Sequence, residues 1–126
     1  MALNYLEGSI QTYSGEIVSP LWPDKNTIKV EDMSHSGGFL CRFAGHCNVF
    51  YSVGQHEIIG ARWFRKRGML LEAKYFLIHE GAEKLGMVDL PTPIKYLPVM
   101  NPYRVIESSY QTAIYRAFGL FGEVPK

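Results

Sequence analysis

Two histidines and three carboxylates fall close enough along this chain to share a site: His56, then His79, Glu80 and Glu83, then Asp89. Imidazole nitrogens and carboxylate oxygens are the donors that hold a divalent ion and let it activate water. His79 and Glu83 are four residues apart, so on a helix their side chains share one face, with Glu80 on an adjoining strip. His56 belongs to an earlier segment, which an antiparallel pairing would bring alongside. Two packed helices would then offer His56, His79 and Glu80 to one cation and leave Glu83 to handle a proton or position a water. Taken alone, these residues also read as a core histidine among solvated glutamates, and without further pattern that plainer reading is favoured.

The elements that must position these residues are mostly helical. Thr12, Tyr13, Ile17 and Val18 around Ser14-Gly15 predict a short hairpin or extended arm, and Pro20, Pro23 and Asp24 a turn after it. Helical signals begin at Ile28-Lys29-Val30-Glu31-Asp32, and Gly37-Gly38 is expected to interrupt or end that helix. Ser52 followed by Gln55 is the signature of a capping box, and the helix it starts should stop at Gly68. From Met69 to Leu85 the apolar positions Leu70, Leu71, Ala73, Phe76 and Leu77 recur at helical spacing. Pro91 and Pro93 force an irregular connector, and a last helix runs from about Tyr103 to Phe118, ending at Gly119. The expected fold class is an all-α domain with a small N-terminal β element, one domain over residues 1–126.

Composition excludes several functions. The chain has 126 residues, 47% of them hydrophobic, which suits one core. A formal net charge of +1 gives no global drive toward nucleic acid or an anionic membrane. The cations Arg62, Arg65, Lys66 and Arg67 close a helix, where they complement its dipole, so they are read as a solvated helix end. No apolar stretch reaches membrane-spanning length, and Met1-Ala2-Leu3-Asn4 lacks a basic segment leading into an apolar run. A soluble cytoplasmic protein is expected, with Cys41 and Cys47 as reduced thiols. A zinc site built from them with His35 and His46 matches no closed zinc module, and packing is the preferred reading.

The order of several short motifs carries a resemblance. Ile10-Gln11-Thr12-Tyr13-Ser14-Gly15, Val30-Glu31-Asp32-Met33-Ser34-His35, Cys41-Arg42-Phe43-Ala44-Gly45-His46 and Phe50-Tyr51-Ser52-Val53-Gly54-Gln55-His56 resemble the phage and prophage branch of the HD-domain phosphohydrolases. Asp89-Leu90-Pro91-Thr92-Pro93-Ile94-Lys95 resembles the loop after the His-Asp pair in the 5′-deoxynucleotidases of that group. Tyr103-Arg104-Val105-Ile106-Glu107 and Ala117-Phe118-Gly119-Leu120 resemble the family's last core helix. The resemblance covers Ile10 to Leu120, nearly the whole chain.

It implies an HD-domain helical bundle and metal-dependent hydrolysis of a (deoxy)nucleotide phosphate ester. By resemblance, His56 and His79 are metal ligands and Glu80 replaces the aspartate of the pair. Ser108 falls where the family's later aspartate ligand stands, so the fourth ligand is missing. Glu83 and Asp89 match the acid/base or water-orienting carboxylates, and Arg42 and Lys95 are the candidates for contact with substrate phosphate. The divalent ion is expected to bind weakly, because serine brings no negative charge. The chain ends soon after the last core helix, which is expected to remove part of a pocket wall or interface. Phe118, Leu120, Phe121 and Val124 are expected to support a homo-oligomer. Three readings stay open: an active nucleotide phosphohydrolase, a catalytically impaired HD-fold nucleotide-binding or protein-interaction module, and a regulatory subunit that pairs with an active relative.

Overall fold

The computed structural model describes residues 7–125, so the reading at Met1 to Asn4 lies outside the described residues. Within them the chain is mostly helical, with one small antiparallel hairpin at the N-terminal side. The hairpin pairs β1 (Ile10–Gln11) with β2 (Ile17–Val18), in the register Ile10↔Val18 and Gln11↔Ile17. Its turn is closed by Thr12 N–H to the Glu16 carbonyl at 2.8 Å and Gly15 N–H to the Thr12 carbonyl at 3.0 Å. Asp32 fastens the turn to α1 (Val30–Phe39), its carboxylate accepting from Thr12 Oγ1 at 2.8 Å and from Ser14 N and Oγ at 2.7 and 2.8 Å. Burial would raise that carboxyl, but the hydrogen bonds from Ser14 and Thr12 prevail and hold it below the ordinary aspartate range.

Gly37 and Gly38 fall in the last turn of α1, which ends one residue later at Phe39, in line with the expected helix end. Gly37 is there for close approach. A Cβ on Gly54 would stand 3.2 Å from the Gly37 carbonyl oxygen, so the pair lets α1 and α2 (Val53–Lys66) cross almost backbone to backbone. The expected capping box at the start of α2 is complete. Ser52 Oγ accepts from Gln55 N at 3.0 Å, and Gln55 Oε1 accepts from Ser52 N at 2.8 Å. The helix reaches Arg67 as its C-cap, where the Arg67 guanidinium stacks 3.7 Å above the Trp63 ring. The arginine and lysine side chains of this end are exposed, as a solvated helix end requires.

The segment expected as one helix from Met69 to Leu85 is broken. It forms α3 (Leu70–Leu77) and a single turn α4 (Gly81–Lys84), with Ile78, His79 and Glu80 between them outside regular helix. A short α5 (Thr92–Lys95) follows the Asp-Leu-Pro turn, and α6 (Asn101–Ala117) closes the fold. The core is built where α1, α4 and α6 meet, from Ile28, Met33, Ala82, Leu85, Tyr110 and Ile114, with Phe118 packed on its edge. Tyr110 spans that core and spends its hydroxyl on the Leu85 carbonyl at 2.9 Å. Against this core α2 and α3 form an antiparallel pair. Gly60 is what lets them close: a Cβ there would fall 1.9 Å from Phe76 Cε1.

Candidate metal centre

The break between α3 and α4 makes the site. In an unbroken helix the Glu80 and Ala82 amides would donate to the carbonyls of Phe76 and Ile78. Here each of these groups has another partner. The Phe76 carbonyl accepts from His79 Nδ1 at 2.5 Å. Glu80 N–H donates to Glu57 Oε2 at 3.0 Å. Ala82 N–H donates to Gln111 Oε1 at 2.9 Å, and Gln111 Nε2 donates to the Ile78 carbonyl at 2.8 Å. Side chains from α2 and α6 thus replace the helix's own ladder, and the backbone groups freed by the break stay satisfied.

Glu57 is almost fully buried, at 2% exposure, and its other oxygen accepts from Lys84 Nζ at 2.5 Å. Burial pushes its carboxyl above the ordinary glutamate range, although Lys84 pulls the other way. Neighbouring residues of α2 therefore do different work. His56 faces the site, while Glu57 turns inward and holds the backbone of the segment that carries His79 and Glu80.

The result is a tight cluster. One ligand atom from each of His56, His79 and Glu80 lies within 4.8 Å of the others. His79 Nε2 stands 3.0 Å from Glu80 Oε1, and His56 Nε2 stands 4.0 Å from the same oxygen. Donors around an ion at about 2.1 Å stand roughly 3 to 3.5 Å apart, so a small inward turn of His56 would complete a three-ligand face. Phe76 supports the two imidazoles, its ring centroid 5.1 Å from that of His56 and 4.2 Å from that of His79.

Protonation follows from the contacts. His79 Nδ1 donates to a carbonyl, which fixes the tautomer and directs Nε2 at Glu80. Burial works against a charge on His79, but its bonds to Glu80 and to the Phe76 carbonyl raise it above the ordinary histidine value. Burial likewise opposes ionisation of Glu80, yet hydrogen bonds from His79 and Glu83 bring its carboxyl down to about 2. Burial, then the Glu80 carboxylate, push Glu83 up to about 9. Glu80 is thus a carboxylate that accepts from a neutral Glu83, and its bond to His79 favours a proton on Nε2. A cation joining His79 and Glu80 takes the place of the Nε2 proton.

His56 behaves differently. Burial, then the Arg42 guanidinium and His79, hold it below the ordinary histidine value. Arg42 NH1 lies 2.9 Å from His56 Nδ1. A guanidinium only donates, so Nδ1 accepts and the single imidazole proton sits on Nε2, facing Glu80. To offer Nε2 to an ion, His56 must move its proton to Nδ1 and release Arg42.

A cleft of about 480 Å³ opens in front of the cluster, lined among others by Arg42, His79, Glu80, Glu83, Asp89 and Lys95. Every site residue singled out in the sequence except His56 lines it, and His56 joins through the cluster. Lys95 is paired there with Glu107, which raises its ammonium although burial opposes the charge. Ser108 is also on the cleft wall, as an exposed hydroxyl, and contributes no carboxylate. Tyr103 donates to the Val88 carbonyl next to Asp89; burial, then Glu107, Glu83 and Asp89, raise its phenol. Glu57, Gln111 and Tyr103 are not visible as site residues in the sequence, because each acts through a partner at least 14 residues away.

No protein-family model matches the chain. Over 111 residues it is 32% identical to the uncharacterized protein YfdR of Escherichia coli (strain K12), a match covering 88% of this chain and 58% of that protein. The chain thus spans less than two thirds of the length of the curated relative it matches.

Proposed function

We propose that the cleft is a divalent-metal site of the HD-domain type and that the protein hydrolyses the phosphate ester of a (deoxy)nucleotide. The observation that carries this reading is the convergence of His56, His79 and Glu80 within 4.8 Å, beside a cleft that also holds Glu83, Asp89, Arg42 and Lys95. Two imidazoles and a carboxylate suit Mn²⁺, Fe²⁺ or Zn²⁺ better than the all-oxygen preference of Mg²⁺. A bound ion of this kind polarises a phosphoryl oxygen and lowers the pKa of water. Glu83, held neutral in this arrangement, is suited to give a proton to the leaving oxygen, and Asp89 to take one from the attacking water. Arg42 is the forked donor for phosphate oxygens.

Arg42 also couples the two ligands. While it donates to His56 Nδ1 it blocks the tautomer that an ion needs. A phosphate that draws the guanidinium away frees His56, so anion and metal binding should reinforce each other.

A second reading is favoured by two specific observations, the Ser108 hydroxyl in place of a carboxylate and the Arg42 bond to His56. It makes the protein an HD-fold nucleotide-binding module with little or no turnover. Elemental analysis of the purified protein, with a phosphate-release screen over nucleotides and divalent ions, separates the two. Bound metal with turnover supports the hydrolase. Nucleotide binding with neither metal nor turnover supports the module.

A further inference from the structure

Cys41 and Cys47 are the two cysteines of the chain, and the chemistry assigned to the cleft uses neither. Five residues separate them in sequence, yet their sulfurs stand 3.3 Å apart. The backbone between them is the reason. Phe43, Ala44 and Gly45 have φ of 58°, 52° and 84°, three left-handed residues in a row that turn the chain back on itself. Gly45 N–H donates to the Arg42 carbonyl at 3.1 Å, and His46 N–H to the Phe43 carbonyl at 2.9 Å. Cys47 thereby returns to the start of the turn, with its thiol 3.9 Å from the Arg42 carbonyl.

The turn is anchored at Cys41. That residue pairs with Ser52 in an antiparallel bridge, flanked by Arg42 N–H to the Tyr51 carbonyl and Val53 N–H to the Leu40 carbonyl, both at 2.8 Å. Ser52 is buried at the start of α2, so Cys41 is tied to that helix. From Phe43 to His46 the chain is exposed, while both cysteines are half-buried. A non-glycine residue stays in the left-handed region only where its surroundings enforce it. Phe43 and Ala44 take that backbone with exposed side chains, so packing does little to hold them there. The Phe43 ring lies 4.6 Å from the Arg42 guanidinium, the group that reaches His56 Nδ1 at 2.9 Å. A covalent tie between the ends of the turn would remove its open conformations and steady the backbone that carries Arg42.

We propose that Cys41 and Cys47 are a reversible dithiol–disulfide pair, a modification site whose closure locks the turn Phe43–Gly45 beside Arg42. It stands independently of the nucleotide reading of the cleft. A disulfide needs about 2.05 Å between the sulfurs, so Cys47, at the freer end, has about 1 Å to travel. The oxidant is a low-molecular-weight disulfide. Cys41 loses its proton, and its thiolate attacks one sulfur of that molecule, forming a mixed disulfide and expelling the first thiolate. Cys47, deprotonated in turn, attacks Cys41 Sγ. The Cys41–Cys47 bond forms, the mixed bond breaks and the second thiolate leaves. Two electrons have passed to the small disulfide, and its two thiolates collect the two protons. The contact with Cys41, then burial, raises the Cys47 thiol, so ring closure should quicken as pH rises.

The full chain, reduced and freed of reductant without air, is incubated with oxidised and reduced glutathione at mildly alkaline pH. Acid quenching, labelling with N-ethylmaleimide and mass analysis then count the free thiols. Before oxidation the chain should take two labels, one for each cysteine. Afterwards it should take none, carry no glutathione, remain a single chain and yield a peptide bridged between Cys41 and Cys47. Dithiothreitol should restore both labels. Amide exchange at Gly45 and His46, read by NMR, should slow about tenfold or more on oxidation, because so short a ring restricts opening. Cys47→Ser should keep a glutathione adduct on Cys41 and show no such slowing. Two reactive thiols left in the parent, an adduct that never resolves, or cross-links between chains would each overturn the proposal. A closed ring with unchanged exchange at Gly45 and His46 would overturn it as well, because the turn would then not be locked.

Discussion

Replacing Glu57 and Lys84 together isolates the contact by which α2 holds the metal-ligand segment. Glu57→Leu alone is uninformative, because it strands a buried ammonium at a cost of about 3–5 kcal/mol, enough to unfold a domain of this size. Two double variants avoid this: Glu57→Gln/Lys84→Met and Glu57→Leu/Lys84→Met. Both remove the ion pair, which apolar groups of similar volume can replace at little net cost. Only the glutamine keeps an oxygen for the Glu80 amide, now 3.0 Å from Glu57 Oε2. Losing that acceptor leaves a half-buried N–H without a partner, worth about 1–3 kcal/mol, and loosens the residue that supplies a ligand oxygen. Outer contacts of this kind usually change metal affinity by about 10- to 100-fold, or about 1.4–2.7 kcal/mol, which agrees with the cost of the stranded amide. Titration with Mn²⁺ should therefore find the glutamine variant within about threefold of the parent and the leucine variant at least tenfold weaker, by the same reasoning. Amide exchange at Glu80 gives a readout independent of metal, with protection kept by glutamine and lost with leucine. Equal Mn²⁺ affinity and equal protection in the two variants would refute the assignment of Glu57 as a positioning residue.

Glu83→Gln keeps a donor for Glu80 but no transferable proton, so any nucleotide hydrolysis should fall about 10²- to 10⁴-fold while Mn²⁺ binding is retained, read by phosphate release and calorimetry. Arg42→Ala frees His56 Nδ1, so Mn²⁺ should bind roughly tenfold more tightly than to the parent, and a nucleoside monophosphate should no longer enhance it; unchanged affinity and enhancement would count against the coupling. Gly60→Ala drives a methyl to within 1.9 Å of Phe76, which must leave the two imidazoles, and a loss of about 1–3 kcal/mol in chemical denaturation should accompany weaker Mn²⁺ binding. Asp32 is held below its ordinary value in the fold, so it contributes stability that is present above that value and lost as pH falls through the folded one. Melts of the parent and Asp32→Asn should differ near pH 6 and converge as the pH falls through the lowered value of the folded carboxyl.

Much of the architecture is legible in local chemistry. The Ser52 and Gln55 capping box, the end of α2 near Gly68, the proline-bounded connector and the last helix follow from residues that act on their immediate neighbours. The grouping of His56, His79 and Glu80 with Glu83, Asp89, Arg42 and Lys95 rested on the family resemblance, since spacing alone left a core histidine as the plainer choice. The hydrophobic pattern from Met69 to Leu85 suits one helix and gives no sign of a break at Ile78 to Glu80. Nor does the pattern around Gly37-Gly38 show that Gly37 serves a helix crossing as well as standing at a helix end.

The sequence by itself determined which donor types are present, that the chain is mainly helical and where its helices are capped, because periodicity and capping are local interactions within a few residues. Tertiary structure alone decided that the third predicted helix opens at His79, that Glu57 and not solvent receives the Glu80 amide, and that Arg42 holds one tautomer of His56. It also decided that Glu80 ionises while Glu83 stays neutral. The physical reason is the same throughout. Competing hydrogen-bond partners and buried neighbouring charges come from segments 14 to 29 residues apart, and their energies exist only once the helices are packed.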